Sequence, residues 1–89
     1  MKPIRRHREF EKHFRKRITG NRKLAEQFEA RLGLFLVGQR GYPSNDHALS
    51  GSLAGRRAFS VTADVRVIYV ETTEAIIFLD VGTHAQVYR

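Results

Sequence analysis

The sequence predicts an α+β fold in two layers, an N-terminal helical hairpin packed on an antiparallel β-meander. Three observations indicate it: apolar residues recur at helical spacing early in the 89-residue chain, β-rich runs fill its last part, and a segment rich in Gly, Pro, Ser and Asn separates the two. Helices and a sheet each need one face covered, and stacking them buries both. We expect one domain spanning residues 1–89.

The first part of the chain predicts two helices. Their apolar stripes are Phe10, Phe14 and Ile18 in the first, and Leu24, Phe28, Leu32, Phe35 and Leu36 in the second. Asn21 follows Gly20 and can cap the second helix, which is expected to end near Gly38. Residues 2–6 fit either a short edge strand or an irregular arm, because Pro3 is incompatible with a central strand.

The last part of the chain predicts three strands, at residues 56–62, 65–71 and 75–81. The links between them are short, so the strands are expected to pair as an antiparallel meander. Side chains of the middle strand alternate between the two faces, with Val65, Val67 and Tyr69 on one and Arg66, Ile68 and Val70 on the other. Residues 38–52 predict a long loop, which in so small a domain is usually functional or mobile.

The charge is strongly uneven along the chain. The net charge is +7, and residues 1–40 carry twelve Lys and Arg against four Asp and Glu, whereas residues 41–89 carry four against five. A concentrated positive field attracts polyanions, which makes nucleic acid the leading partner, ahead of an acidic protein segment or anionic lipid. The alternative is a solvated helix face that only keeps the protein in solution.

Composition excludes several classes of site. The chain has no Cys, so disulfides, thiolate zinc sites and thiol nucleophiles are excluded, which suits a reducing cytoplasm. His7 and His13 are six residues apart and predict no shared helical face, hence no zinc pair. No run approaches the roughly 18 apolar residues of a membrane span. We expect a soluble, cytoplasmic protein without a metal or membrane contact.

Three segments after residue 45 form an ordered set of motifs. Residues 47–57 fit H-x-L-x-G-x-x-x-G-x-R, residues 64–69 fit D-x-R-x-I-Y, and residues 82–88 run from G-T-H to a Tyr. Their order and spacing resemble the YafQ branch of the RelE/ParE superfamily of toxins, over nearly the whole chain. The resemblance implies a RelE-like fold with the element order β-α-α-β-β-β.

The resemblance also implies an activity and partners. It indicates the toxin of a type II toxin–antitoxin system, an mRNA endoribonuclease that needs no metal ion or other cofactor and usually acts in the ribosomal A site. The 2′-hydroxyl attacks the adjacent phosphate and yields a cyclic phosphate and a 5′-hydroxyl. The implied partners are a cognate antitoxin, mRNA, and the ribosome, whose RNA would contact the basic helices. The alternatives are a ParE-like gyrase inhibitor and a catalytically silent binding module of the same fold.

Such cleavage needs a base, an acid and positive charge at the phosphorane, and histidine suits both proton-transfer roles. By resemblance the candidate catalytic residues are His84, just after the last strand, His47, in the long loop, and Asp64, in the turn before the middle strand. A solvated loop histidine is the alternative for His47 and His84. Asp64 can instead serve the turn alone, where Asp is common for conformational reasons.

The candidate RNA-binding residues are Arg66, Arg57 and Tyr88. Either arginine can hold a phosphate through two hydrogen bonds, or form a salt bridge at the sheet edge. Tyr88 can stack on a base or pack the end of the chain.

The chain departs from the family pattern at two positions. Ser60 stands where the YafQ proteins have a further histidine, and Val65 where they have Trp. Ser60 cannot titrate near neutral pH, so the division of acid and base roles between the remaining histidines stays open.

Overall fold

The computed structural model describes residues 2–88. In chain order its elements are β1 (Ile4–Arg6), α1 (Arg8–Arg17), α2 (Arg22–Leu36), β2 (His47–Ala48), β3 (Arg57–Ser60), β4 (Val65–Glu71), β5 (Ile76–Thr83) and α3 (His84–Val87). A 3-10 turn at Gly51–Leu53 lies between β2 and β3. The predicted α+β fold is confirmed.

The sheet has five strands in the order β1-β5-β4-β3-β2. Strands β3, β4 and β5 form the predicted antiparallel meander. β1 pairs with β5 in parallel, so residues 2–6 do supply an edge strand and the sheet is mixed. β2 was not predicted: it is two residues long and exists because His47 and Ala48 pair with Ala58 and Arg57 of β3.

Helix α2 begins after the predicted cap, Asn21, and ends at Leu36, close to Gly38. The Asn21 side chain accepts a hydrogen bond from the Leu24 amide at 3.1 Å, as an N-cap does. His7 performs the same role for α1, its Nδ1 accepting from the Glu9 amide at 3.0 Å. After α2, Gly38 has a φ of +79°, the left-handed conformation that ends helices and favours glycine.

The main core lies between the helices and one face of the sheet. Its fully buried side chains include Phe10, Ile18 and Phe28 of the helical layer and Phe59, Val67, Tyr69, Phe78 and Val81 of the strands. The predicted alternation along β4 is therefore confirmed for Val67 and Tyr69. Within the described residues, no helix has the length and apolar character required to cross a membrane.

A second, smaller cluster lies on the opposite face of the sheet. Buried Ala58, Ile68 and Val87 form it, and Leu49 and Tyr88 pack against them. The short helix α3 thus folds back over the face that α1 and α2 leave uncovered. Leu49 and Tyr88, which pack on this cluster, also line the site described next.

Candidate active site

An open groove of about 330 Å³ lies on the sheet face opposite the main core. Its lining residues are His47, Leu49, Ser50, Leu53, Arg66, His84 and Tyr88. Four of the six residues predicted for the site therefore meet in one place, although they come from β2, β4 and α3. Concave sites with a few convergent polar groups are the usual form of a binding site.

His84 is held at the start of α3 by main-chain contacts. Its amide donates to the Asp64 carbonyl at 3.1 Å, and the preceding Thr83 amide donates to Gln86 Oε1 at 2.8 Å. The exposed imidazole meets the Tyr88 ring edge-on, with 4.4 Å between ring centroids. Residues four apart on a helical turn face the same side, so Tyr88 sets the direction in which the His84 ring projects.

Tyr88 lines the groove and also packs against the small apolar cluster on this face of the sheet. Its hydroxyl is buried and finds no hydrogen-bond partner among the described residues. Burial raises the pKa of Tyr88, and the nearby positive charge of Arg66 partly opposes this. The phenol is therefore neutral at physiological pH, which fits a packing or stacking role and not that of a base.

Arg66 is the cation of the groove. It lies in the central strand, paired with Ser60 of β3 on one side and Gly82 of β5 on the other. Its Nη1 donates to the Asp64 carbonyl at 3.3 Å. No carboxylate within residues 2–88 forms a salt bridge with Arg66. Its guanidinium can therefore bind an anion.

Asp64 contributes its main chain to the site. Its carbonyl accepts hydrogen bonds from the His84 amide and from Arg66, and its own amide donates to Thr62 Oγ1 at 3.2 Å. The exposed carboxylate is not among the groups that line the groove. Asp64 therefore contacts both His84 and Arg66 through its main chain.

His47 is exposed at the sheet edge, in β2. Its Nδ1 lies 2.9 Å from the Asn45 carbonyl oxygen. A carbonyl only accepts hydrogen bonds, so Nδ1 carries the proton and Nε2 of the neutral ring has a free lone pair. This tautomer is the one that a general base requires if Nε2 is to take a proton.

Arg57, one of the two candidate phosphate-binding arginines, is not among the residues that line the groove and forms a salt bridge, the alternative named for it. Its Nε donates to Asp46 Oδ1 at 2.9 Å and to the Tyr69 hydroxyl at 3.2 Å. In the sheet register Arg57 pairs with Tyr69, whose side chain is in the main core. The sequence held a signal for this: Phe59, two residues on, is a core residue, and alternate residues of a strand share a face.

Asp46 is the centre of a buried polar network that sequence reasoning missed. Its side chain is 0% exposed, and it accepts hydrogen bonds from the Tyr69 hydroxyl and from Arg57. Arg40 donates to the same hydroxyl at 3.1 Å and approaches the Asp46 carboxylate to 3.6 Å. The network fixes the residue directly before His47 to the sheet.

We predict a pH effect from Tyr69. Burial and the hydrogen bond to Asp46 raise the pKa of Tyr69 from 10.0 to about 12. The unfolded chain therefore loses this proton first, and the contribution of Tyr69 to stability, complete below pH 10, decreases as pH rises through about 12. Urea unfolding of the wild type and Tyr69→Phe across this range should show the difference between them shrinking. A constant difference would contradict the assignment.

A second cavity, of about 300 Å³, lies beside α1 and is called the α1 cavity below. His7, Glu9, His13, Leu53, Arg56, Ile68, Leu79, Asp80 and Val87 line it. The two histidines, six residues apart, meet here because His7 precedes the helix as its N-cap. Within residues 2–88, no three His, Asp or Glu side chains are arranged to hold a metal ion.

Gly82 is required by the contacts around it. A Cβ there would lie 2.6 Å from Gln86 Oε1 and 2.7 Å from Arg17 Nη1. Gly82→Ala should displace Gln86 from the Thr83 amide and loosen the start of α3, lowering the free energy of unfolding by about 1–2 kcal/mol. Urea denaturation measures this, with Gly41→Ala as control because that loop position has open space and lies outside the helices. Equal stability of the two variants would contradict the prediction.

Comparisons with known proteins agree with this fold. The family described as "Bacterial toxin of type II toxin-antitoxin system, YafQ" matches residues 2–89. YafQ from E. coli strain BL21(DE3) has a TM-score of 0.81 at 23% identity, and the E. coli DinJ-YafQ complex 0.75 at 24%, each over 100% of both chains. A YoeB/ParE toxin from Agrobacterium tumefaciens has a TM-score of 0.69 at 15% identity, over 94% of this chain and 99% of that one. No curated protein matches by sequence.

Proposed function

Because this chain belongs to the YafQ family of bacterial type II toxin–antitoxin toxins, we propose that it is a metal-independent endoribonuclease that cleaves mRNA on the ribosome in the cytoplasm. The observation that carries the proposal is the convergence of His47, Arg66 and His84 on one open groove. Two titratable rings and an unpaired guanidinium are the groups that cleavage by a 2′-hydroxyl requires.

We propose one role for each of these three side chains. Arg66 holds the scissile phosphate and neutralises the charge that develops on its oxygens. His47 Nε2, whose lone pair is free in the tautomer fixed by Asn45, accepts the proton of the 2′-hydroxyl as its oxygen attacks phosphorus. The bond from phosphorus to the 5′-oxygen breaks, and protonated His84 donates a proton to that oxygen. The products are a 2′,3′-cyclic phosphate and a 5′-hydroxyl.

Asp64 and Tyr88 act through His84 in this scheme. The Asp64 carbonyl fixes the His84 amide, and the Tyr88 ring fixes the direction of the imidazole. A splayed base can also rest on the exposed part of the Tyr88 ring. Arg57, on the other face, supports the sheet and does not contact the phosphate.

The partners follow from charge and from the relatives. Exposed cations cover the outer sides of the helices: Arg8, Lys12, Arg15, Lys16, Arg22 and Lys23. We propose that this surface contacts ribosomal RNA and that a cognate antitoxin covers it with an acidic segment. The structure of the E. coli DinJ-YafQ complex supports an antitoxin partner of this kind.

Induced expression with primer extension on cellular mRNA tests the proposal. The wild type should arrest growth and produce new RNA 5′ ends that a polynucleotide kinase labels without prior phosphatase treatment, because they carry a 5′-hydroxyl. Purified protein should give the same ends on programmed ribosomes. Growth arrest with DNA breaks and intact mRNA would instead indicate a ParE-like gyrase inhibitor. Binding of antitoxin and RNA with neither mRNA cleavage nor DNA breaks would indicate a catalytically silent binding module.

A further inference from the structure

We propose that the α1 cavity is a nucleobase subsite that selects the nucleotide next to the scissile phosphate, with guanine as the best fit. The inference rests on the proposed ribonuclease function and deepens it, because it assigns base selection to residues outside the catalytic groove. Neither the family motifs nor the catalytic scheme uses these residues.

The α1 cavity lies next to the groove. Leu53 lines both cavities. Ile68 and Val87, which line the α1 cavity, belong to the same apolar cluster against which Leu49 and Tyr88 of the groove pack. A single strand of RNA with one phosphate at Arg66 can therefore place the adjoining nucleotide over the α1 cavity on the same face of the sheet.

The size and the apolar lining of the α1 cavity suit a single nucleobase. Its volume of about 300 Å³ is at the lower end for ligand pockets. Leu53, Ile68, Leu79 and Val87 provide an apolar surface. Single-stranded RNA is commonly recognised by placing an unstacked base on such a surface and hydrogen-bonding its edge.

Two polar groups at the start of α1 supply edge contacts. His7 Nδ1 accepts from the Glu9 amide, so the neutral His7 ring carries its proton on Nε2, where it can donate. The Glu9 side chain is 53% exposed, its Oε1 lies 3.7 Å from His13 Nε2, and its carboxylate oxygens are acceptors. Guanine fits this pair because its Watson–Crick edge offers two adjacent N–H donors to a carboxylate and a carbonyl oxygen to a donor.

Of the other charged groups that line the cavity, His13 and Asp80 are held by hydrogen bonds, whereas Arg56 has no carboxylate partner among the described residues. His13 Nδ1 lies 2.6 Å from Asp80 Oδ1, which also accepts from the Val81 amide, so this pair forms a fixed wall. Arg56 is exposed and forms no salt bridge within the described part of the chain. It can hold the backbone phosphate that joins the two nucleotides.

Binding to a His84→Ala variant tests the subsite without cleavage. The probes are short single-stranded RNAs that differ only in carrying G, A, C or U at one position. We expect shifts in the NMR methyl signals of Leu79 and Val87 and a preference for G of roughly tenfold, the size typical of a two-hydrogen-bond base contact. Glu9→Gln should remove the preference. Glu11→Gln is the matched control, since Glu11 is on the same helix and forms an ion pair of similar length, with Arg6 at 3.8 Å, but does not line the cavity.

The outcomes separate this inference from the proposed function. Methyl shifts confined to the groove, or binding without base preference, would overturn the subsite. In the otherwise wild-type chain, Glu9→Gln should change which mRNA positions are cut, and an unchanged set of positions would overturn the subsite while the ribonuclease function stands. Loss of all cleavage by the wild type would instead overturn the proposed function itself.

Discussion

Replacing His84 by Ala is expected to slow RNA cleavage by about 10²–10⁴-fold, the usual contribution of a general acid. The fold should not change, because the imidazole is exposed and its ring contact is with Tyr88. Ala is also favourable in a helix. Single-turnover cleavage on programmed ribosomes measures the rate, and the denaturation midpoint verifies the fold.

The control for this variant is Glu74→Ala, a change in the exposed turn between β4 and β5. It should cleave at the wild-type rate. Intact cleavage and growth arrest by His84→Ala would remove His84 from the mechanism. His47→Ala is expected to act on the same step, and the double variant should lose less than the product of the two single losses, because acid and base act as a unit.

Replacing Asp46 by Ala is expected to lower the free energy of unfolding by about 2–3 kcal/mol, since Arg57 loses a charged acceptor and the Tyr69 hydroxyl loses the acceptor of its proton. The carboxylate is fully buried against Arg57 and Tyr69. Because Asp46 anchors the chain directly before His47, cleavage should fall as well. Urea unfolding and single-turnover cleavage measure the two effects.

Asp46→Asn separates the charge from the shape of this residue. The amide oxygen still accepts from the Tyr69 hydroxyl, but the attraction to Arg57 and Arg40 is lost, so an intermediate stability is expected. Wild-type stability of Asp46→Ala would show that the network does not hold the loop. Faster hydrogen exchange across the His47–Ala58 pair in Asp46→Ala would locate the effect at β2.

Much of the fold followed from periodicity. Phe10 and Ile18 are buried, as their helical spacing predicts, and Val67 and Tyr69 share the core face of β4. β2 escaped prediction because two residues are too few to show a pattern. The parallel partner of β1 could not be predicted either, since nothing local in residues 2–6 specifies a strand more than seventy residues away.

Sequence motifs predicted several residues of the candidate site. Contacts that form only in the folded structure could not be predicted from them. The groove brings together His47, Arg66, His84 and Tyr88. The sequence contains no sign that Asp64 uses its carbonyl, because a residue name does not distinguish main-chain from side-chain contacts. Partners far apart in the chain, such as His13 and Asp80, are likewise invisible before folding.

The pairing of β1 with β5 affects the order in which the protein can fold. Ile4 contacts Ile76 across the sheet, and contacts of such high sequence separation slow folding, because a large loop must close before they form. The chain emerges from the ribosome N-terminus first, so β1 has no partner until β5 has been synthesised. His84 follows β5 directly. We therefore expect a nascent chain to have no assembled groove until β5 and the His84 that follows it have left the ribosome.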